Sequence, residues 1–248
     1  PNFGLITNVG RAHLEGFGGP EGVRRGKGEL FDFLAANGGH AFVPADDEIL
    51  TGMAAERDSL AAEYYSASLA DGIENHLEGS YNRFNIAAAV AVGHYFDVPD
   101  ERIRHAIASY VPDNNRSQRI GTSRNTLVAD CYNANPQSMS AALRVLAASE
   151  GKKIAVLGDM KELGELTESA HRAMGELCAL LGIDRVIAVG EYARGIADAA
   201  HESAEWYPDA ESAVDAARAA FTEGSVLLCK ASHSMHLEKI VEELLKTT

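Results

Sequence analysis

The sequence predicts an α/β protein built on a mostly parallel sheet. Three observations carry that expectation. Short apolar runs alternate with segments of helical periodicity through the second half, which is the pattern of βαβ units. The composition, 46% hydrophobic and 23% charged over 248 residues, is that of a globular chain with material for two modest cores. Asparagine, aspartate and glycine fall between the runs, where caps and turns need them.

The first half is the less regular. Phe3–Asn8 is expected as a strand. Glu21–Ala36 is expected as a helix stopped by Gly38-Gly39, with a short strand following at His40–Pro44. Gly79–Phe96 contains an alanine-rich run, Asn85–Val92, suited to a buried helix, and another helix is expected from about Pro99 to Tyr110. Val111–Arg119 is polar with one proline and is expected to join two domains, 1–111 and 112–248.

The second half repeats strand and helix in turn. Thr126–Cys131 reads as a strand, and Asn135-Pro136 places a good N-cap before the proline that suits a first helical turn. Met139, Ala142, Leu143 and Leu146 then recur at helical spacing. Ile154–Leu157 is the next strand, followed by a helix carrying Ala170, Met174, Leu177 and Leu181. Arg185–Val189 is a strand, and Glu191 to about His201 is expected to be helical. Asp209 caps a helix carrying Val214, Ala217 and Phe221, and Ser225–Cys229 is the last strand. The final helix carries Leu237, Ile240, Val241, Leu244 and Leu245. Ligands of such sheets bind at the carboxyl ends of the strands. The loops after Cys131, Leu157, Val189 and Cys229 are therefore the places to look.

Charge excludes some functions. Asp plus Glu number 36 against 22 Lys plus Arg, a formal charge of −14. A chain that neutralises phosphates non-specifically needs a basic face, so nucleic acid is not expected as a partner. No apolar run approaches the roughly 18 residues of a spanning helix, so membrane insertion is not expected. Cys131, Cys178 and Cys229 are widely spaced with no CxxC pair, which fits a reducing compartment, the cytoplasm. The start, Pro1-Asn2-Phe3-Gly4-Leu5-Ile6-Thr7-Asn8, has neither an initiator methionine nor the pattern of a signal peptide, and the chain is expected to be part of a longer protein.

Five segments carry polar chemistry. Ile6–Gly18 (ITNVGRAHLEGFG) ends a strand in a glycine-rich loop bearing His13, and Lys27 follows on the expected helix within Gly26–Leu30 (GKGEL). A lone histidine is most often a plain hydrogen-bonding residue and a helix lysine a solvated charge, so residue type alone assigns neither. Asn82-Arg83-Phe84-Asn85 stands at a helix start, where capping is the plain reading. Asp130–Pro136, Leu157–Gly164 and Lys230–Met235 each follow a strand. No GxxxxGK[ST] sequence occurs in these residues, so a self-sufficient nucleotide site is not visible.

Together these segments resemble the Mur ligase family over essentially the whole chain, nearest the branch that adds D-alanyl-D-alanine to a UDP-N-acetylmuramoyl-tripeptide in peptidoglycan synthesis. ITNVGRAHLEGFG looks like the family's central-domain motif, GKGELF like the segment of its active-site lysine, and YNANPQSM and LGDMKELGE like wording specific to that branch. The resemblance implies the later part of a central ATPase domain over 1–111 and a Rossmann-like carboxyl-terminal ligase domain over 112–248. The family's amino-terminal UDP-binding domain, its P-loop and the acidic magnesium ligand after it are not among these residues, so the 248 residues alone are expected to be inactive. The implied reaction uses ATP and Mg²⁺ and passes through an acyl phosphate. By resemblance, His13 and a carbamylated Lys27 would bind Mg²⁺, and Arg116 would reach the γ-phosphate; these three are the expected catalytic residues. Asn82 and Asn85 would lie near the adenine and Asp130 near the ribose. Asn133, Asn135, Asp159, Lys230, Ser232 and His233 would border the peptide and dipeptide. A monomer is expected. Two departures stand out: Asn115-Arg116 replaces the family's Gly-Arg, and His233 replaces an arginine. The alternatives are a ligase of the folylpolyglutamate synthase type and a non-catalytic Rossmann-like binding module.

Overall fold

Among the described residues every strand pairing but one is parallel, as the alternation of strands and helices predicts. The structure, a computed structural model, describes residues 1–10, 14–77, 79, 81–112 and 117–246, with the side chains of residues 14, 15 and 203 left aside. The chain divides into two units, Pro1–Tyr110 and Val111–Thr248, each with its own sheet.

In the first unit β1 (Phe3–Leu5), β2 (His40–Pro44) and β3 (Ala61–Tyr65) lie side by side in that order. In the chain α1 (Leu14–Phe17) and α2 (Pro20–Ala36) separate β1 from β2, and α3 (Glu48–Ala55) separates β2 from β3. α4 (Asn82–Tyr95) and α5 (Asp100–Ser109) follow. Successive residues of β2 point to opposite faces. Ala41 and Val43 pack with Phe31 and Leu34 of α2 and with Leu50 and Met53 of α3. Phe42 packs with Ala87, Ala88 and Ala91 of α4. Both faces are covered, which is why β2 reads as an unbroken apolar run.

The second unit contains β4 (Gln118–Gly121), β5 (Thr126–Asp130), α6 (Pro136–Ala147), β6 (Lys152–Gly158) and α7 (Thr167–Leu180). It continues with β7 (Arg185–Val189), α8 (Arg194–Ala200), β8 (Ala204–Tyr207), α9 (Ala210–Ala220), β9 (Ser225–Lys230) and α10 (Glu238–Leu245). The sheet order is β4-β5-β9-β6-β7-β8, with β4 antiparallel at the edge. Met139 and Leu143 of α6, Met174 and Cys178 of α7 and Ile196 of α8 cover one face. Ala213 and Ala217 of α9 and Leu237, Ile240 and Leu244 at α10 cover the other. Gly175 lets α7 approach α8: a Cβ there would stand 2.2 Å from the Ile196 carbonyl oxygen. The last strand in the chain, β9, inserts between β5 and β6. From β6 the chain leaves over one face through α7, and from β9 over the other through α10. That reversal opens a crevice at the carboxyl ends of β9 and β6.

Some elements differ from expectation. β1 ends at Leu5 rather than Asn8, although Ile6 still packs in the core with α2. The junction is shorter than expected, since Gln118 and Arg119 already belong to β4. The helix expected from Glu191 begins at Arg194. The sequence pattern does not predict α1, α3, β3, β4 or β8. Asp47 starts α3 by accepting the N–H groups of Ile49 and Leu50 at 3.0 and 2.9 Å.

Candidate functional site

In the first unit α2 carries Lys27, half-buried, with its Nζ donating to the Asn8 carbonyl oxygen at 2.8 Å. Burial lowers the Lys27 pKa, because desolvation penalises the ammonium form. The ammonium thus bridges the start of the glycine-rich loop to the helix. Asn82 is the first residue of α4 rather than its cap; it is buried, and its Oδ1 accepts the Asn85 Nδ2–H at 2.9 Å. Asn85 is exposed. Because α2 and α4 cover opposite faces of the small sheet, the fold does not bring Lys27 and the asparagine pair onto one face. His13 and Arg116 lie outside the described residues.

The second unit gathers the remaining candidates at the carboxyl ends of β5, β9 and β6. Lys230 is buried at the end of β9, and its Nζ donates to Asp130 Oδ2 at 2.6 Å and to the Asn133 carbonyl oxygen at 2.9 Å. Asp130 Oδ1 accepts the Ser117 N–H at 2.9 Å. Asp159, just past β6, is only 1% exposed. Its Oδ1 accepts the Ala193 N–H at 2.8 Å, its Oδ2 accepts from Lys161 Nζ at 2.8 Å, and its carbonyl oxygen accepts the Ser232 N–H at 3.1 Å. Ser232 Oγ accepts the Lys161 N–H at 3.0 Å. Gly190 makes room for the carboxylate: at φ +116° a Cβ there would stand 2.6 Å from Asp159 Oδ1. Asn135 Oδ1 accepts the Ser138 N–H at 2.9 Å and Ser138 Oγ accepts the Asn135 N–H at 3.1 Å, a capping box that starts α6.

Burial sorts these residues by what they can do. Asp130, Asp159, Lys230 and Ser232 are buried and hydrogen-bonded to the protein itself. Asn133 and His233 are exposed, as is Tyr132, whose ring stacks on His233 with centroids 5.6 Å apart. Tyr132, Asn133 and His233 are thus the exposed residues beside the crevice, on a frame fixed by the buried charges. Lys161 joins that frame, with its ammonium 5.0 Å from the centre of the Tyr192 ring. The cysteines are free and buried. Burial pushes the Cys178 thiol up to about 12, and a hydrogen bond with Cys131, together with burial, raises Cys229 well above its ordinary value, so neither supplies a thiolate nucleophile.

Sequence reasoning missed His171. It is fully buried on α7, its Nε2 accepts the Met160 N–H at 2.9 Å, and its Nδ1–H donates to the Thr167 carbonyl oxygen at 2.6 Å. The signal was its spacing from Met174 and Cys178, which puts it on the buried face of α7.

The chain belongs to the Mur ligase family. Residues 1–76 match that family's "Mur ligase middle domain" and residues 115–233 its "Mur ligase, glutamate ligase domain". Among relatives, it is 30% identical to the UDP-N-acetylmuramoyl-tripeptide–D-alanyl-D-alanine ligase of Bacillus subtilis (strain 168), over 100% of this chain and 60% of that protein. It is also 30% identical to the enzyme of the same name from Escherichia coli (strain K12), over 98% of this chain and 60% of that protein. A crystal structure of MurF from Acinetobacter baumannii superposes with a TM-score of 0.83 at 26% identity, covering 99% of this chain and 60% of that one. The chain thus spans about three-fifths of the length of the relatives it matches.

Proposed function

We propose that the protein is an ATP-dependent, cytoplasmic ligase that adds D-alanyl-D-alanine to UDP-N-acetylmuramoyl-tripeptide for peptidoglycan. Residues 1–111 are then the later part of the ATPase domain and 112–248 the ligase domain. The observation that carries this reading is the 30% identity, over the whole chain, to the Bacillus subtilis enzyme of that name.

In the proposed reaction a carboxylate oxygen of the tripeptide attacks the γ-phosphorus of ATP. The bond to the β-phosphate oxygen breaks and ADP leaves. The dipeptide's neutral amine then attacks the acyl carbon, loses a proton, and phosphate departs as its C–O bond breaks. Such chemistry depends on positioning and on neutralising phosphate charge more than on a protein nucleophile. Arg116, with its planar fork of donors, is assigned to the γ-phosphate. Asn82 and Asn85 are assigned to the adenine and Asp130 to the ribose. Asn133, Asn135, Asp159, Lys230, Ser232 and His233 border the peptide crevice, the exposed ones by contact and the buried ones by holding the loops.

Lys27 is assigned a carbamate. Its lowered pKa enlarges the neutral amine fraction, and only the neutral amine attacks carbon dioxide. Among the described residues no three His, Cys, Asp or Glu side chains gather as a metal cage, and an uncarbamylated Lys27 offers no oxygen. The described residues therefore do not by themselves fit Mg²⁺.

The test is phosphate release from ATP by the full-length enzyme with UDP-N-acetylmuramoyl-tripeptide present. Release should depend on D-alanyl-D-alanine, and the 248 residues alone should give none. Release by the full-length enzyme that ignores the dipeptide would overturn the reading.

A further inference from the structure

The buried His171 takes no part in the proposed reaction. The His171 ring donates from Nδ1 to the Thr167 carbonyl oxygen, which leaves Nε2 unprotonated to accept the Met160 N–H. The neutral tautomer is therefore the one that fits. Three other groups approach it. The Asp159 carboxylate and the Lys161 ammonium come from the loop after β6, and the Tyr192 ring, with centroids 5.9 Å apart, from the loop after β7.

Met160 stands between two residues that tie this loop to its neighbours. On one side Asp159 holds the Ser232 N–H with its carbonyl oxygen and the Ala193 N–H with its carboxylate. On the other the Lys161 N–H holds Ser232 Oγ. One imidazole nitrogen thus anchors the middle of a three-residue backbone stretch whose outer residues fasten the loops after β7 and β9. Ser232 precedes His233, one of the exposed residues of the crevice.

We propose that His171 is a positioning residue: by holding the Met160 N–H it fixes the Ser232-His233 loop in the conformation that binds the acceptor dipeptide. The identity of the dipeptide rests on the ligase reading; the mechanical link between the loops does not.

The experiment uses the full-length enzyme with His171→Leu and His171→Gln. Leucine offers no acceptor, so the Met160 N–H is left buried without a partner. Glutamine carries an amide oxygen near the position of Nε2. The leucine variant should raise the KM for D-alanyl-D-alanine by about ten- to a hundredfold, the range expected for one unpaired buried donor. The KM for ATP should stay within about twofold, and glutamine should restore most of the dipeptide affinity. Amide exchange should quicken at Met160, Lys161 and Ser232 in the leucine variant but not in α9 or α10. If leucine does not fold, His171→Asn keeps the donor to Thr167, loses the acceptor, and should show the same KM shift. A folded variant lacking the acceptor with an unchanged dipeptide KM, or with both KM values raised equally, would overturn the proposal. So would faster exchange confined to α7. Wild-type enzyme without dipeptide-dependent turnover refutes the ligase reading instead, and the exchange rates still decide whether His171 links the loops.

Discussion

Replacing Lys230 by methionine removes one half of a buried ion pair and leaves the other half in place. The Lys230 side chain is 2% exposed and that of Asp130 12%, with Nζ 2.6 Å from Oδ2. Methionine keeps most of the stem's volume but supplies no proton. Asp130 then lies buried without the ammonium that Lys230 supplied, and the Asn133 carbonyl loses the donor it has at 2.9 Å. Removing one partner of such a pair costs roughly 3–5 kcal/mol. That is a large part of the roughly 5–15 kcal/mol that holds a domain folded. With a slope of about 2 kcal/mol per molar urea, the midpoint should fall by about 1.5–2.5 M. Trp206, the one tryptophan in the chain, lies in β8 of the same unit and reports its unfolding by fluorescence. The double variant Asp130→Asn, Lys230→Met removes both charges while leaving an amide oxygen for the Ser117 N–H, and should recover half or more of the loss. A midpoint shift under about 0.5 M for Lys230→Met, or a double variant no better than the sum of the singles, would refute the reasoning.

Asn135→Ala removes the cap of α6 and should destabilise the second unit by about 1 kcal/mol, read from the same urea titration; Asn135→Ser should lose much less. Burial holds the pKa of His171 below its ordinary value, so the unfolded chain binds that proton more readily. The stabilisation is complete above about pH 6.5 and is lost as pH falls from there through the lowered folded value. Wild-type urea midpoints should therefore drop more between about pH 7.5 and pH 5 than those of His171→Gln, and parallel curves would count against it. In the full-length enzyme Lys27→Ala should lose most of its turnover and regain part of it with added short carboxylates; full activity without them excludes the carbamate.

Strands of the larger sheet were legible where both faces are covered. In β6, Ile154 and Val156 pack toward α9 and α10 while Ala155 and Leu157 pack toward α6 and α7, so Ile154–Leu157 is an unbroken apolar run after two lysines. The edge strands were not. β8 interrupts its apolar residues with Glu205 and β4 is mostly polar, because an edge strand needs less burial to be held. β3, AAEYY, carries too little apolar pattern for its place beside β2 to be read. Caps were legible at Asn135 and Asp209, where the side chain meets the N–H three residues on. The loops of the candidate site were legible as motifs, but the division of labour within them was not. Residue type says that Asp130 and Asp159 carry charge; only the fold says that these carboxylates face inward. His171 escaped because its partners are a backbone N–H and a carbonyl, which no motif marks.

The register of the sheet explains why the buried charges stand where they do. Asp130 and Lys230 are partners in the parallel β5–β9 ladder, and Lys230 is also the partner of Leu157 in β6. Partners on adjacent strands point to the same face, so the pairing itself brings carboxylate and ammonium together. A slip of one residue would turn one charge to the opposite face and leave both without a counter-ion, in a sheet whose two apolar faces already resist such a slip. Two residues beyond Lys230, Ser232 is held by Asp159 and Lys161 from the β6 side. The segment after β9 is thus fastened on the β5 side by an ion pair and on the β6 side by two hydrogen bonds to Ser232, one to its backbone N–H and one to its hydroxyl. Tyr132, Asn133 and His233 stand on that double fastening with their side chains in solvent. Side chains so placed are preorganised: little of the binding energy of any ligand they met would be spent on ordering loops.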